Sequence, residues 1–287
     1  MTRFAVGLMV VLLVPFAAFS QAATTITVHK VTDKIYMLEG NGGNIGVSVG
    51  DDGLLMIDTQ YANMVPAIED AFKKLDHGDL KYIINTHFHG DHTGGNWELG
   101  KKAPIVAHEN VLARLSKQKQ ASEPDGKKGL PSITYPQSWK IKFNGEDVEA
   151  IHYPNAHTDG DSIIFFRGSN VVHTGDDFTN GMFPFVDLAN GGSVDGYITN
   201  TKELLAKLPD DVKIIPGHGP LATKADLQSF LTRIEESIAI IKKQADAGKS
   251  AKEIIDSHAL DSFEDYGKAF VSVNRWIGMV HQDVTKK

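Results

Sequence analysis

Apolar positions along the chain follow two spacings, and each spacing predicts its own kind of element. After residue 24 come four short runs rich in β-branched residues, at 25–31, 34–38, 44–49 and 54–57. Gly and Asp-Gly turns punctuate them, which predicts strands, with Asp51-Asp52-Gly53 as a hairpin turn. Tyr61, Met64, Val65, Ile68, Phe72 and Leu75 then recur at helical spacing, with Pro66 within the first turn or so. The apolar run 82–85 has strand character, 104–107 reads as another strand, and 109–117 as a helix. The polar stretch 118–138, with three prolines and Lys119, Lys127 and Lys128, predicts a long surface loop.

The second half repeats this plan. Strands are predicted at 140–143, 148–153, 163–166 and 171–173, and a further strand ends at Ile214-Ile215. Ser193 can cap a helix running to about Leu208. Thr223-Lys224-Ala225-Asp226 is a capping-type start. The helix it opens carries Leu227, Phe230, Leu231, Ile234, Ile238 and Ile241 on one face. One or two final helices are predicted between 260 and 280.

Composition narrows the class. The 287 residues contain no cysteine, so disulfides and thiolate ligands are excluded. A formal net charge of −7 argues against a nucleic-acid partner. Arg3, the apolar run 4–19 and the small-x-small site Ser20-Gln21-Ala22 predict a signal peptide over 1–22. The competing reading is a retained anchor, for which the run is near the short end. The expected mature protein is then one domain over 23–287, periplasmic or secreted, with no stable membrane association once processed.

The chemistry concentrates in Thr86-His87-Phe88-His89-Gly90-Asp91-His92-Thr93-Gly94-Gly95, three imidazoles and a carboxylate within six residues at the end of a predicted strand. That donor set suits zinc when no thiolate is available. In extended chain, residues i and i+2 point the same way, so His87 and His89 can reach one ion. Gly90 then lets Asp91 and His92 face a second. Three further candidates stand at later strand ends: His157, Asp176 and His218. Converging loops at one sheet edge are where α/β folds place their sites.

His-x-His-x-Asp-His followed by Gly-Gly resembles the signature of the metallo-β-lactamase superfamily, and the later candidates follow in the matching order. The resemblance extends over nearly the whole mature chain. It implies an α/β fold, an αββα sandwich of two mixed sheets flanked by helices, and two Zn²⁺ per chain. It assigns His87, His89 and His157 to one metal, Asp91, His92 and His218 to the other, and Asp176 to a bridge. A metal-bridging hydroxide would attack a carbonyl or ester centre of a small-molecule substrate, with Asp91 carrying its proton. Asp58 would hold a metal-binding histidine in place; its alternative is a helix N-cap. The tip 41–44 would border the cleft, or be an ordinary turn. Residues 178–190 would form an apolar lip, or a core loop.

Departures narrow the subgroup. The lactamases that bind their second zinc through cysteine are excluded, and Thr179 stands where that subgroup carries a lysine. An acidic bridge looks more like the glyoxalase II, lactonase and phosphodiesterase relatives, though the tail after His218 has no glutathione-binding pattern. The competing functions are a mononuclear iron dioxygenase acting on persulfides and a non-catalytic metal-binding accessory protein of a periplasmic relay. The remaining histidines, His29, His77, His108, His152, His173, His258 and His281, belong to no cluster in the sequence.

Overall fold

The computed structural model describes residues 25–75 and 78–286. The expected signal peptide and His77 lie outside the described residues. Two mixed sheets face one another with helices on both outer faces, the αββα arrangement expected. The first sheet opens as an antiparallel meander of β1 (Thr27–Lys30), β2 (Ile35–Glu39), β3 (Ile45–Gly50) and β4 (Gly53–Ile57). Helix α1 (Val65–Leu75) carries the chain over to β5 (Leu80–Ile84), parallel to β4. Two one-turn helices follow, α2 (Gly90–Thr93) and α3 (Asn96–Leu99), then β6 (Ile105–His108), α4 (Glu109–Leu115) and β7 (Ile133–Tyr135). Strands β5, β6 and β7 run parallel.

The second sheet begins with the antiparallel strands β8 (Ser138–Phe143), β9 (Glu146–His152), β10 (Ser162–Phe166) and β11 (Val171–His173). Helix α5 (Val194–Lys207) supplies the crossover that a parallel pair requires, between β11 and β12 (Lys213–Ile215). The chain closes with β13 (Ala222–Thr223), α6 (Lys224–Asp246), α7 (Ala251–Asp256) and α8 (Val273–Val284).

Period-2 alternation explains the layers. On β4, Leu55 and Ile57 point between the sheets with Ile84, Ile164 and Phe166. Leu54 and Met56 point the other way, under Met64 and Ile68. On β10, Ile163 and Phe165 face the outer helices with Phe230, Ile234 and Trp276. Every residue of β4 and β10 is therefore buried, as strands covered on both faces should be. Each large apolar side chain among them contributes roughly 1.5–3 kcal/mol.

One expectation needs correction, one helix was not foreseen, and the final segment falls within what was expected. The 118–138 stretch is not all loop: Ile133–Tyr135 pairs with β6 as an edge strand. A strand of three residues is too short to show periodicity; the neighbouring strand supplies the order. Helix α7 was not expected, although Ser250 and Glu253 form a capping box at its start. The last segment yields a single regular helix, Val273–Val284, preceded by 3₁₀ turns at Asp261–Phe263 and Tyr266–Lys268. By contrast, Ser193 and Thr223 cap α5 and α6 as expected.

The topology sets up the site through register. Ile57 pairs with Ile84 in parallel, and His173 with Ile215. Four strands thus end at one edge, and the segments beginning at Asp58, Asn85, Thr174 and Pro216 leave from it together.

Candidate metal centre

All seven predicted ligands come together at that edge. His87, His89 and His157 form one group with ligand atoms within 4.8 Å of one another. Asp91, His92 and His218 form another, and His87, His92 and Asp176 a third that links the two. His87, His92 and His157 are buried, while Asp91 and His218 face the cleft.

Hydrogen-bond accounting fixes the direction of each imidazole. Thr86 Oγ1 donates to Asp58 Oδ2 at 2.7 Å and so accepts from His87 Nδ1 at 3.0 Å. His89 Nε2 donates to Asp187 Oδ2 at 2.9 Å, and His157 Nδ1 to the Phe185 carbonyl at 2.5 Å. Each ring spends its one N–H on an outer acceptor. The lone pairs of His87 Nε2, His89 Nδ1 and His157 Nε2 are left pointing inward. His87 Nε2 is buried with no hydrogen-bond partner, and His157 Nε2 lies only 2.8 Å from His89 Nδ1. Converging lone pairs repel one another unless a cation sits among them. A tetrahedral zinc with bonds of roughly 2.0–2.1 Å needs such nitrogens to stand close together. The donor set fits zinc.

The second group follows the same logic. His92 Nδ1 donates to Asp58 Oδ2 at 2.7 Å, which turns Nε2 toward Asp176 Oδ1 at 3.1 Å and His218 Nε2 at 3.4 Å. Asp176 Oδ1 is buried without a hydrogen bond of good geometry. His218 Nε2 is 3.3 Å from Asp91 Oδ2 and 3.5 Å from Asp176 Oδ1. Asp176 Oδ2 reaches the first group, 3.6 Å from His157 Nε2.

Electrostatics separates the two groups. Burial holds the His87 ring well below the usual imidazole range and His157 down at about 4, so both keep their lone pairs. Burial also pulls His218 down, but Asp176 and Asp91 outweigh it and raise His218 to about 9. On Asp176 itself, desolvation is outweighed by His218 and His92, which hold the carboxylate well below its usual range. Behind it, burial pushes Asp161 up to about 7 and Asp177 well above the carboxylate range.

Supporting residues explain how the groups hold. Asp58 accepts from Thr86 N at 2.8 Å, from Thr86 Oγ1 and from His92. It is not an N-cap: the helical turn ahead of α1 starts after Tyr61 with no side-chain cap. Its φ of +64°, in a left-handed region that Asp tolerates, aims the carboxylate inward. Gly43 in the 41–44 tip packs against the His92 ring, where any Cβ would overlap it, so the tip borders the cleft. A Cβ at Gly217 would likewise overlap Asp176 Oδ1.

Sequence reasoning missed Thr86, Asp187 and Tyr197, whose hydroxyl donates to the Asp176 carbonyl at 2.9 Å. Asp187 belongs to the expected lip, which proves to be both lip and core. Phe178 and Val186 are buried, while Met182 and Phe185 line the cleft. Of the unclustered histidines, His108 stacks on His152 at 3.7 Å, and His173 Nε2 donates to the Asn44 carbonyl, tying the tip to the second sheet.

Comparison with known proteins agrees with this geometry. A family model described as the metallo-beta-lactamase superfamily matches residues 38–218. A probable hydroxyacylglutathione hydrolase of Schizosaccharomyces pombe is 30% identical over 217 residues, spanning 72% of this chain and 76% of that protein. A type 2 metallo-beta-lactamase of Bacillus sp. (strain 170) is 26% identical over 183 residues, 60% of this chain and 65% of the other. Among solved structures, the metallo-beta-lactamase from Pontibacter korlensis superimposes with a TM-score of 0.62 at 17% identity. It covers 74% of this chain and 99% of that one, a likeness of fold.

Proposed function

The chain belongs to the metallo-beta-lactamase superfamily of metal-dependent hydrolases, and from that premise we propose that it is an exported enzyme with two zinc ions that cleaves a small-molecule acyl or ester substrate. His87 Nε2, His89 Nδ1 and His157 Nε2 would hold one ion, and Asp91, His92 and His218 the other, with Asp176 between them. Zinc supplies Lewis acidity there and brings the pKa of a bound water to about 7.

The chain's own residues do the rest. Asp91 takes the proton of the attacking water and gives it to the heteroatom that leaves when the acyl bond breaks. Its carboxylate is suited to this. Burial pushes its pKa upward, but the neighbouring His92 and His218 outweigh that and keep it ionised. Asp58 and Asp187 fix the orientation of His92 and His89, as carboxylates behind metal-binding histidines do. No serine or cysteine nucleophile is required.

The observation that carries this reading is the set of three inward lone pairs beside a carboxylate that reaches both groups. Export rests on the charged start and apolar run of residues 1–22. Protein purified without chelator is expected to hold about two zinc ions. It should hydrolyse at least one of a β-lactam, a lactone, a thioester or a phosphodiester. One tightly held iron, no zinc and oxygen consumption would assign the site to oxygenase chemistry instead. Full zinc occupancy with no hydrolysis across the panel would remove the hydrolase reading.

A further inference from the structure

The cleft in front of the cluster has a volume of about 670 Å³, a size that suits a small organic ligand. One end is the His/Asp cluster. The tip from Gly40 to Asn44 forms one side, with Tyr61 and Glu39. The opposite wall is apolar: Met182, Phe183 and Phe185 from the lip face Ala269, Phe270 and Val271 from the segment before α8.

Two properties of this wall bear on the substrate. The first is that no lysine or arginine lines the cleft among the described residues. Apart from the ligand candidates, its one charged side chain is Glu39, itself paired with His29 at 2.7 Å. Arg275 touches the wall from outside the lining. Its guanidinium stacks 4.0 Å from the Phe270 ring centre and 4.7 Å from that of Phe185, and it donates to the Phe270 carbonyl at 3.2 Å. One of its N–H groups and its flat face are taken up by that carbonyl and the rings, while the side chain as a whole stays exposed. The Asn44 amide is also committed, to the carbonyls of Pro216 and Gly219. A carboxylate pressed against this wall, on the part of a substrate away from the reacting centre, would lose water and find no cation in the cleft lining to pair with. An unpaired desolvated anion is strongly disfavoured.

The second is Phe270. It is 73% exposed, the most exposed of the large apolar side chains among the described residues. It stands edge-to-face with Phe185 at 5.9 Å and 83°, and both rings line the cleft. Arg275 fixes the pair in place. A pre-positioned aromatic ledge beside a site is an energetic asset for a ring-bearing ligand.

We propose that the substrate carries an uncharged aromatic or similarly bulky apolar group that packs on Phe270, Phe185 and Met182, and that Phe270 is the principal specificity-determining residue. Glutathione conjugates and other carboxylate-bearing substrates are then disfavoured. This rests on the hydrolase reading above for which bond is cleaved, but recognition can be tested separately.

Calorimetric titration of the zinc-loaded protein with two non-hydrolysable thioethers, S-phenacyl-N-acetylcysteamine and S-phenacyl-glutathione, compares a neutral and an anionic ligand bearing the same ring. The neutral ligand should bind about 10-fold more tightly, and Phe270→Ala should weaken it by about 10-fold. Phe270 is exposed enough that its truncation should leave the fold intact. In parallel, Phe270→Ala should cut kcat/KM for a phenylacetyl thioester, through KM, about 10-fold more than for an acetyl thioester of the same thiol. Equal or tighter binding of the glutathione conjugate, or unchanged affinity in Phe270→Ala, overturns the proposal. Selective binding without hydrolysis of any substrate would uphold it and reject the hydrolase reading instead.

Discussion

Asp187 and His89 lie 98 residues apart and meet through a 2.9 Å hydrogen bond from His89 Nε2 to Asp187 Oδ2. That bond decides which nitrogen of His89 faces the cluster. Asn190 Nδ2 also donates to Asp187 Oδ2 at 2.7 Å, and Arg114 holds Asn190 in turn. Burial pushes Asp187 upward, but the bonds from His89 and Asn190 outweigh it and hold the carboxyl at about 2. The carboxylate is therefore an acceptor at any physiological pH. Asp187→Ala should lower zinc affinity by about 10–100-fold. Competition against a chromophoric chelator measures this, and an unchanged dissociation constant would show that His89 needs no such guide.

Asp58 should behave differently, because it supports the fold as well as the site. Three buried donors end on its carboxylate, two from Thr86 and one from His92. Asp58→Ala leaves them unsatisfied, at about 1–3 kcal/mol each if nothing relaxes, and puts Ala at φ +64°. Zinc-free Asp58→Ala should melt well below the parent, and its zinc affinity should fall about 10–100-fold. Loss of affinity with an unchanged melting temperature would mean that solvent satisfies those donors.

For Asp91, ligation and proton transfer can be separated. Asp91→Asn keeps size and one oxygen donor but cannot accept a proton at neutral pH. Turnover should drop by about 10²–10⁴ while much of the zinc remains. Metal content and rate must be measured on the same samples. A rate that falls only in proportion to lost zinc would reduce Asp91 to a ligand.

His173, a histidine outside the seven ligand candidates, supplies a pH dependence of stability. Its Nε2 donates to the Asn44 carbonyl and its Nδ1 accepts from Gly175 N. Burial holds its pKa down at about 4, against 6.5 for a free ring. Above pH 6.5 the ring is neutral folded or unfolded, and its full contribution to stability is present. As pH falls from 6.5 toward 4, the unfolded chain takes up a proton that the folded chain refuses. Stability is then lost, by up to about 3 kcal/mol from this group. In zinc-free protein, His173→Gln should be less stable than the parent at pH 7, and the gap should shrink by pH 4.5 in urea titrations. A gap independent of pH would show that His173 takes up a proton as readily folded as unfolded.

The export proposal has its own measurement. N-terminal sequencing of exported protein should begin at Ala23. A start at Met1 in a membrane fraction would show that the apolar run 4–19 is an anchor.

The sequence by itself determined where most strands and helices lie and offered all seven ligand candidates, while the sandwich of two sheets followed from the family resemblance. Strand and helix periods are local properties, and a donor cluster such as His87 to His92 is dense enough to stand out from any background. Asp176 and His218, each in a glycine-containing turn just past an apolar run, were legible because they follow the first cluster in the order of the superfamily's later motifs. The tertiary structure alone decided how the ligands are aimed. That Thr86 bridges Asp58 and His87, that Asp187 turns His89, and that Asp58 orients His92 rather than capping a helix all depend on contacts between strand ends distant in the chain. Such contacts leave no periodic trace. The same holds for the edge strand Ile133–Tyr135, which exists because β6 offers unpaired backbone groups beside it, and for the wall of Phe185 and Phe270. The sequence marks Phe185 as part of an apolar segment but carries no sign of the ring that Phe270 will meet. Its partner is set by packing, after the sheets have closed.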